Sequence, residues 1–293
     1  MPELPEVETV RVGLNLLLPG KKITGVTHNW DKSFPNADED VQQFLIGAKI
    51  VAVARRAKVL LIELDSKYSL VIHLKMTGQL VFRSNDDQMR FGAGHPNDSL
   101  VGKLPDKSTH VTIDLGDSKL FFNDQRKFGW IRLLPTAEVP NIDFMQRLGP
   151  EPLSADFTQA DLRTRLKRRV NTNIKAALLD QSVIAGIGNI YADESLWGAK
   201  LHPATLVKNV SVSKLNLLYE SVRAVLELAI KKGGSTDRNY VDAYGKKGSY
   251  LSFAKVFRRE GQPCPRCGTI IEKTRIAGRG THFCPKCQRK PKP

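Results

Sequence analysis

The placement of the four cysteines constrains this chain more than any other feature. Cys264, Cys267, Cys284 and Cys287 form a Cys-x2-Cys-x16-Cys-x2-Cys array, with 16 residues between the two pairs. Each pair fits a tight turn that presents two thiolates to one face of a tetrahedral ion, and the spacer is long enough for a returning β-hairpin. Disulfides are the alternative, but a reducing compartment disfavours them and a redox Cys-x2-Cys pair needs no duplicate. The spacing therefore predicts one structural Zn2+ with sulfur at every position, so catalysis is expected elsewhere. A segment this short depends on its metal to hold a shape.

The same end of the chain is strongly basic. Residues 255–293 carry eleven Lys or Arg against Glu260 and Glu272, a net +9 within a whole-chain charge of +15. Such an excess points to a polyanionic partner, nucleic acid first. At 293 residues, 41% hydrophobic and 26% charged, the chain has the composition of a folded globular protein of about two domains. No window approaches the ~18 consecutive apolar residues of a membrane span. With Glu3, Glu6 and Glu8 among the first residues, the start does not read as a secretory signal, and cytoplasmic residence is the expectation.

Hydrophobic periodicity divides the chain. Apolar residues at 7, 10, 14, 17 and 18 mark one helical face, preceded by Pro5 and acidic residues as helix starts prefer. Strand-like runs follow at 50–55, 59–64, 70–74, 79–83, 110–115, 119–122 and 130–134, separated by turn residues, which predicts a β-sandwich or barrel. Residues 84–108 turn to Asn, Asp, Gly and Pro and read as a long surface loop. Beyond a linker rich in Pro and Gly, the period changes from two to about three and a half, and helices are predicted at 155–169, 173–180, 189–199 and 213–232. The expected organisation is a sandwich over 1–135, a linker over 136–152, a helical domain over 153–250 and a metal-binding segment over 251–293.

Three further stretches carry possible functions beside plain structural ones. Gly186-Ile187-Gly188-Asn189 enters a helix with free backbone N–H groups suited to a phosphate, or simply connects two helices. Five of the seven residues 163–169 are basic, which fits either a polyanion or a solvated face. Residues 233–250, rich in Gly, Ser, Asp and Lys, suit a loop that closes over a ligand or a passive connector.

The amino terminus has distinctive chemistry. Pro2 is small enough for Met1 to be removed, which leaves a secondary α-amine. An α-amine of pKa ~8 is roughly 10% neutral at pH 7, against about 0.04% for a lysine of pKa ~10.4. A neutral amine is the nucleophile that forms an iminium with a sugar aldehyde carbon. Glu3 is placed to shuttle protons and Glu6 to steady the cation, although Pro and Glu also simply initiate helices.

The segment PELPEVETV resembles the amino terminus of the formamidopyrimidine-DNA glycosylases, bacterial repair enzymes that excise oxidised purines. Further blocks follow in family order: Arg56-Ala57-Lys58, His73-Leu74-Lys75-Met76-Thr77-Gly78, and Asn123-Asp124-Gln125-Arg126-Lys127-Phe128-Gly129. Ala185-Gly186-Ile187-Gly188-Asn189-Ile190-Tyr191-Ala192-Asp193-Glu194 and Gly278-Arg279-Gly280-Thr281-His282-Phe283-Cys284 complete the set. Endonuclease VIII relatives share the architecture but usually begin Pro-Glu-Gly-Pro-Glu, so Leu4 favours the purine-directed branch.

The resemblance implies a multidomain α+β fold: an N-terminal β-sandwich with an N-terminal helix, a helix-two-turn-helix domain and a C-terminal zinc-finger β-hairpin, with DNA bound between the two halves. It implies that Pro2 attacks C1′ of the damaged nucleotide, that Glu3 donates a proton during ring opening and base loss, and that Lys58 assists β-elimination. Arg279 resembles the finger arginine assigned to phosphate contact and δ-elimination. Met76, Arg126 and Phe128 match the side chains that fill the hole left by the extruded base, and an apolar wedge with an Arg able to pair with the orphan base offsets the cost of extrusion. Lys175 and Asn189 resemble phosphate contacts, His110 is carried over as a DNA contact, and Tyr191 and His73 fit core roles equally well.

The expected partner is double-stranded DNA with oxidised bases or abasic sites, engaged by a monomer in the bacterial cytoplasm. The rival readings are an endonuclease-VIII-like enzyme for oxidised pyrimidines and a non-catalytic damage-binding protein. Two departures stand out: Ser108 where the family often has a histidine, and Val256-Phe257-Arg258-Arg259 in place of the usual Val-Tyr-Gly-Arg.

Overall fold

Pro5 and Glu6 open a helix that runs Leu4–Leu17, and Glu3 caps it through a reciprocal capping box with Glu6. Its buried stripe, Val7, Val10 and Leu14, joins the core of a sandwich. The strands are β1 (Gly25–His28), β2 (Ile50–Arg56), β3 (Val59–Leu64), β4 (Tyr68–His73), β5 (Gly78–Ser84), β6 (Arg90–Gly94), β7 (Thr109–Asp114), β8 (Ser118–Asp124) and β9 (Trp130–Pro135). Two antiparallel sheets result, one of order β1-β7-β8-β5-β6 and one of order β2-β3-β4-β9. Leu60, Ile62, Ile72 and Ile131 from the smaller sheet meet Leu80, Phe82, Phe122 and Ile113 from the larger in one core, as alternating inward residues of a sandwich do.

This computed structural model describes residues 1–95, 98–235 and 250–290. The chain forms two compact units, Met1–Gln146 with Lys232–Ser249, and Arg147–Lys231 with Tyr250–Pro293. Most of the segment expected to close over a ligand, residues 236–249, lies outside the described residues.

The stretch 84–108 is not the uninterrupted loop its composition predicts. It contains β6, which pairs with β5 and turns Phe91 and Ala93 into the core, and a short helical turn at Asp98–Leu100. Gly92 and Gly94 dilute the period-two pattern, so the strand is invisible to propensity. Arg83 donates to the Leu100 carbonyl at 2.7 Å and Ser99 to Asp106 at 2.6 Å, which ties the segment down. It walls a basic cleft of about 390 Å³ lined by Arg83, Arg90, Lys103 and Lys119, with Asp87 as the acidic member. This cleft lies at the Ser84–Ser118 end of β5 and β8, the opposite end from the Gly78–Asp124 pair.

The second unit is helical, with helices at Gln159–Lys167, Ile174–Leu179, Asn189–Gly198 and Val212–Lys231. The first begins later than its periodicity implies because Thr158 and Asp161 form a capping box. Leu162, Leu166, Leu178, Tyr191, Leu218, Val222 and Leu226 form its core. Tyr191 is fully buried against Tyr250, 5.3 Å between ring centroids. Between the cysteine pairs stands the expected hairpin, β10 (Glu272–Ile276) with β11 (Arg279–Phe283), closed by Ala277-Gly278. Both turn residues have positive φ, 52° and 71°, as a two-residue hairpin turn requires. The architecture is multidomain α+β, and among the described residues no helix is long and apolar enough to cross a membrane.

Candidate active site and metal centre

Two hydrogen bonds set how the amino-terminal helix lies on β2: Val53 N–H donates to Asn15 Oδ1 at 2.8 Å, and Arg55 Nε donates to Glu8 at 2.7 Å. The helix runs back toward its start as the strand runs forward. From Glu8 back to the helix start at Leu4 is about 6 Å of rise, and from Arg55 the strand runs one residue more before the Ala57-Lys58 turn. Pro2, Glu3 and Lys58 therefore lie toward the same end of the sandwich. All three are buried, Glu3 to 2% exposure and Lys58 to 8%. Lys58 sits in the two-residue turn between Arg56 and Val59, where Ala57 takes φ 53°.

Glu6 fixes the chain start from the other side. Its Oε2 accepts the Glu3 N–H at 2.8 Å, and its Oε1 accepts the Ser235 N–H at 2.7 Å. Gly234 has φ +80°, and a Cβ there would lie 2.8 Å from Glu6 Oε1, so only glycine permits this approach.

The register extends the same end of the sandwich. Val59 pairs with His73 and His73 with Trp130, so the turns that hold Lys58, Met76 and Phe128 leave one row of the sheet. His73 is held neutral, its pKa pushed down to about 3 by burial and then by the Lys75 and Lys58 charges. Its Nδ1 accepts the Lys75 N–H at 3.0 Å. Phe128 is 53% exposed, and the Arg126 guanidinium lies 4.9 Å from its ring centroid. Met76 is half-buried on the neighbouring turn.

Under these turns lies a fully buried carboxylate. Asp124 Oδ2 accepts the Phe128 and Gly129 N–H groups at 2.8 and 2.7 Å. Oδ1 accepts the Arg126 N–H at 3.1 Å and the Thr77 hydroxyl. A Cβ on Gly129 would come within 3.1 Å of Oδ2 and 2.6 Å of Phe122. His110 is buried nearby, its ring nitrogens 2.9 Å from Asn29 Oδ1 and 2.9 Å from the Asp124 carbonyl, so both are engaged inside the protein. Ser108 is also buried, its hydroxyl donating to Asp106 at 2.7 Å.

In the second unit, Lys175, Asn189 and Arg279 come together around one peptide group. Lys175 and Asn189 donate to the Gly280 carbonyl at 3.1 and 3.0 Å, next to Arg279, which is exposed at the hairpin turn. Lys175 is fully buried, bonds Thr281 Oγ1 at 2.7 Å and pairs with Asp193 at 2.7 Å. A phosphate at Lys175 would compete with these partners. Asp193 also accepts the His282 N–H at 2.9 Å, and Glu194 accepts the N–H groups of Lys255, Val256 and Phe257 at 2.8, 2.9 and 2.8 Å. Two adjacent helix carboxylates thus anchor the finger's leading segment and the second strand of its hairpin.

The four cysteine sulfurs lie within 4.8 Å of one another, and the cysteines form no disulfide. A tetrahedral zinc with Zn–S of about 2.3 Å separates its sulfurs by about 3.8 Å. The Cys267–Cys284 and Cys264–Cys287 separations, 3.5 and 4.0 Å, bracket that edge. Trp197 Nε1 donates to Cys264 Sγ and the Cys287 N–H to Cys284 Sγ, both at 3.4 Å, which offsets thiolate charge. The residues fit one structural zinc.

Sequence reasoning assigned no role to Glu8, Arg55, Thr77, Asp124, Asp193 or Glu194. The available signal was local only: Glu8, Thr77, Asp124 and Asp193-Glu194 sit inside the blocks of resemblance, but Arg55 lies outside them and its pairing with Glu8, 47 residues away, has no sequence pattern.

Comparison with known proteins agrees along the whole chain. Residues 1–131 match the formamidopyrimidine-DNA glycosylase N-terminal domain, 148–240 its H2TH domain, and 261–289 the zinc finger found in FPG and IleRS. The formamidopyrimidine-DNA glycosylase of Chloroflexus aurantiacus is 43% identical over 290 residues, covering 98% of each chain. That of Pelotomaculum thermopropionicum is 40% identical over 291 residues, covering 99% of each. A Lactococcus lactis FPG mutant solved with Fapy-dG containing DNA superposes with a TM-score of 0.87 at 36% identity, over 99% of this chain and 100% of that one. MutM in complex with carbocyclic 8-oxo-G containing DNA gives 0.86 at 36% identity, with the same coverage. The chain belongs to the formamidopyrimidine-DNA glycosylase family.

Proposed function

We propose that this chain is a bifunctional DNA glycosylase and abasic-site lyase that removes oxidised purines, 8-oxoguanine and formamidopyrimidines, from double-stranded DNA. The observation that carries this reading is the shared burial of Pro2, Glu3 and Lys58 at one end of the sandwich, beside exposed Phe128 and Arg126. After loss of Met1, the Pro2 nitrogen attacks C1′ of the extruded nucleotide. The glycosidic electrons leave with the base, which takes a proton. Glu3 protonates the sugar-ring oxygen as the ring opens, and an iminium links C1′ to the protein. Loss of a C2′ proton expels the 3′ phosphate with Lys58 assisting, and a second elimination, aided by Arg279, expels the 5′ phosphate. Hydrolysis of the iminium returns the free amine.

Met76, Arg126 and Phe128 occupy the space the extruded nucleotide leaves. Lys175 and Asn189 act by fixing the peptide beside Arg279. His110 supports the Asp124 turn from within. Zinc bound to Cys264, Cys267, Cys284 and Cys287 supplies structure to the finger. The test is incubation with duplexes that each hold one lesion: 8-oxoguanine, a formamidopyrimidine, thymine glycol or an abasic site. Release of the oxidised purine with strand cleavage is expected. Preference for thymine glycol favours the pyrimidine-directed reading, and binding without release favours a damage-binding protein.

A further inference from the structure

The turns that carry Met76 and Arg126–Phe128 belong to different strand connections, yet a single buried pair holds both. Thr77 stands one residue after Met76 and is 8% exposed. Its hydroxyl donates to Asp124 Oδ1 and accepts the Arg126 N–H at 3.1 Å. Asp124, fully buried at the end of β8, takes three N–H groups of the 126–129 turn on its two oxygens. Lys127 adopts φ 57°, which folds the turn back around the carboxylate. An exposed phenyl ring gains nothing from water, so holding Phe128 outward over a buried charge is a cost the fold bears for presentation. The Thr77 hydroxyl, on the Met76 turn, thus bonds both the buried carboxylate and the backbone of the Arg126 turn.

We infer that Thr77 and Asp124 are positioning residues that couple the two turns, so that Met76, Arg126 and Phe128 enter damaged DNA as one rigid unit rather than as three independent side chains. This rests on the proposed function, in which those three side chains replace the extruded nucleotide. The coupling acts on the conformational step before chemistry, because a wedge delivered in register lowers the cost of holding the nucleotide out of the stack.

The test uses the full-length zinc-loaded protein with Thr77→Val, which keeps the shape and removes the shared hydroxyl, and Thr77→Ser, which restores it. Each is combined with Met76→Ala and Phe128→Ala in a double-mutant cycle, read by single-turnover base excision and by fluorescence of 2-aminopurine beside the lesion. In the wild-type background the Met76→Ala and Phe128→Ala losses are expected to be strongly non-additive, and in Thr77→Val they should approach additivity. Thr77→Val should slow duplex excision at least tenfold more than cleavage of a preformed abasic site, slow the 2-aminopurine phase, and leave KM within about threefold. Thr77→Ser should recover most of the rate. Wild-type excision by Thr77→Val, or failure of Thr77→Ser to recover, overturns the coupling. If Met76→Ala and Phe128→Ala themselves excise at the wild-type rate, the wedge reading falls instead, which separates the two failures. Should Thr77→Val melt well below the wild type, Thr77→Ala carries the same comparison, and a loss on abasic-site DNA equal to that on lesion DNA again counts against coupling.

Discussion

Arg55 joins the amino-terminal helix to the Lys58 turn: its Nε donates to Glu8 at 2.7 Å, and its Nη1 donates to the Ala57 carbonyl at 2.9 Å. The helix that follows Pro2 and the hairpin that carries Lys58 are thereby tied together, although neither Glu8 nor Arg55 is assigned a chemical step.

Glu8→Gln should loosen that connection while keeping the helix. Misplacement of reacting groups by about 1 Å costs up to ~100-fold, so a drop in single-turnover excision of roughly tenfold is expected, with DNA affinity within about twofold. Rates on lesion DNA, measured beside filter-binding constants, check this. An equal loss of affinity would locate Glu8 in DNA binding instead.

His73 makes stability depend on pH. Burial pushes its pKa from the ordinary 6.5 down to about 3 in the folded protein, so its contribution is present above about pH 6.5 and is lost as pH falls toward 3. The expected slope from this group is about 1.4 kcal/mol per pH unit below 6.5. Urea unfolding of wild type and His73→Asn between pH 7.5 and 5 checks it, since other titrating groups cancel in the difference. Parallel curves would show that His73 does not titrate on unfolding.

Among the described residues, the finger's core is Val256, Cys264, Ile271 and Cys284, packed with Trp197 and the remaining cysteines. Chelation of zinc, or Cys284→Ser, should therefore abolish duplex binding while the sandwich unit keeps its near-ultraviolet signal. Full DNA affinity in metal-free protein would contradict this.

Arg258 stands where the family usually has glycine, and it adopts φ 56°. The left-handed region costs a non-glycine residue about 1–2 kcal/mol, and glycine's extra chain entropy returns ~0.5–1 of that. Arg258→Gly is expected to stabilise the zinc-loaded protein by up to about 1 kcal/mol, read as a small rise in Tm. A lower Tm would show that the Arg258 side chain contributes more than its backbone costs.

The legible parts of the molecule were those with a local signature. Residues 59–64 pair a buried apolar face with short flanking turns, and the cysteine spacing is itself a geometry, so β3 and the metal centre follow from sequence. β6 was hidden because Gly92 and Gly94 interrupt its pattern, and because pairing with β5, not propensity, makes it a strand. Lys175 reads as a phosphate contact by family resemblance, yet its burial against Asp193 comes from tertiary packing that no local pattern encodes. The same holds for Asp124, whose block was recognised while its hydrogen bonds to the 126–129 turn were not.

The central claim is that the chain's own amino terminus is the nucleophile. Borohydride reduction during reaction with an 8-oxoguanine duplex should trap one covalent protein–DNA adduct, and peptide mapping should place it on Pro2 with Met1 absent. Pro2→Gly, which retains a primary amine without the ring, should lose most base excision and keep some lyase activity, and Glu3→Gln should bind DNA without glycosylase turnover. An adduct on Lys58, or full activity in protein that retains Met1, would contradict the account.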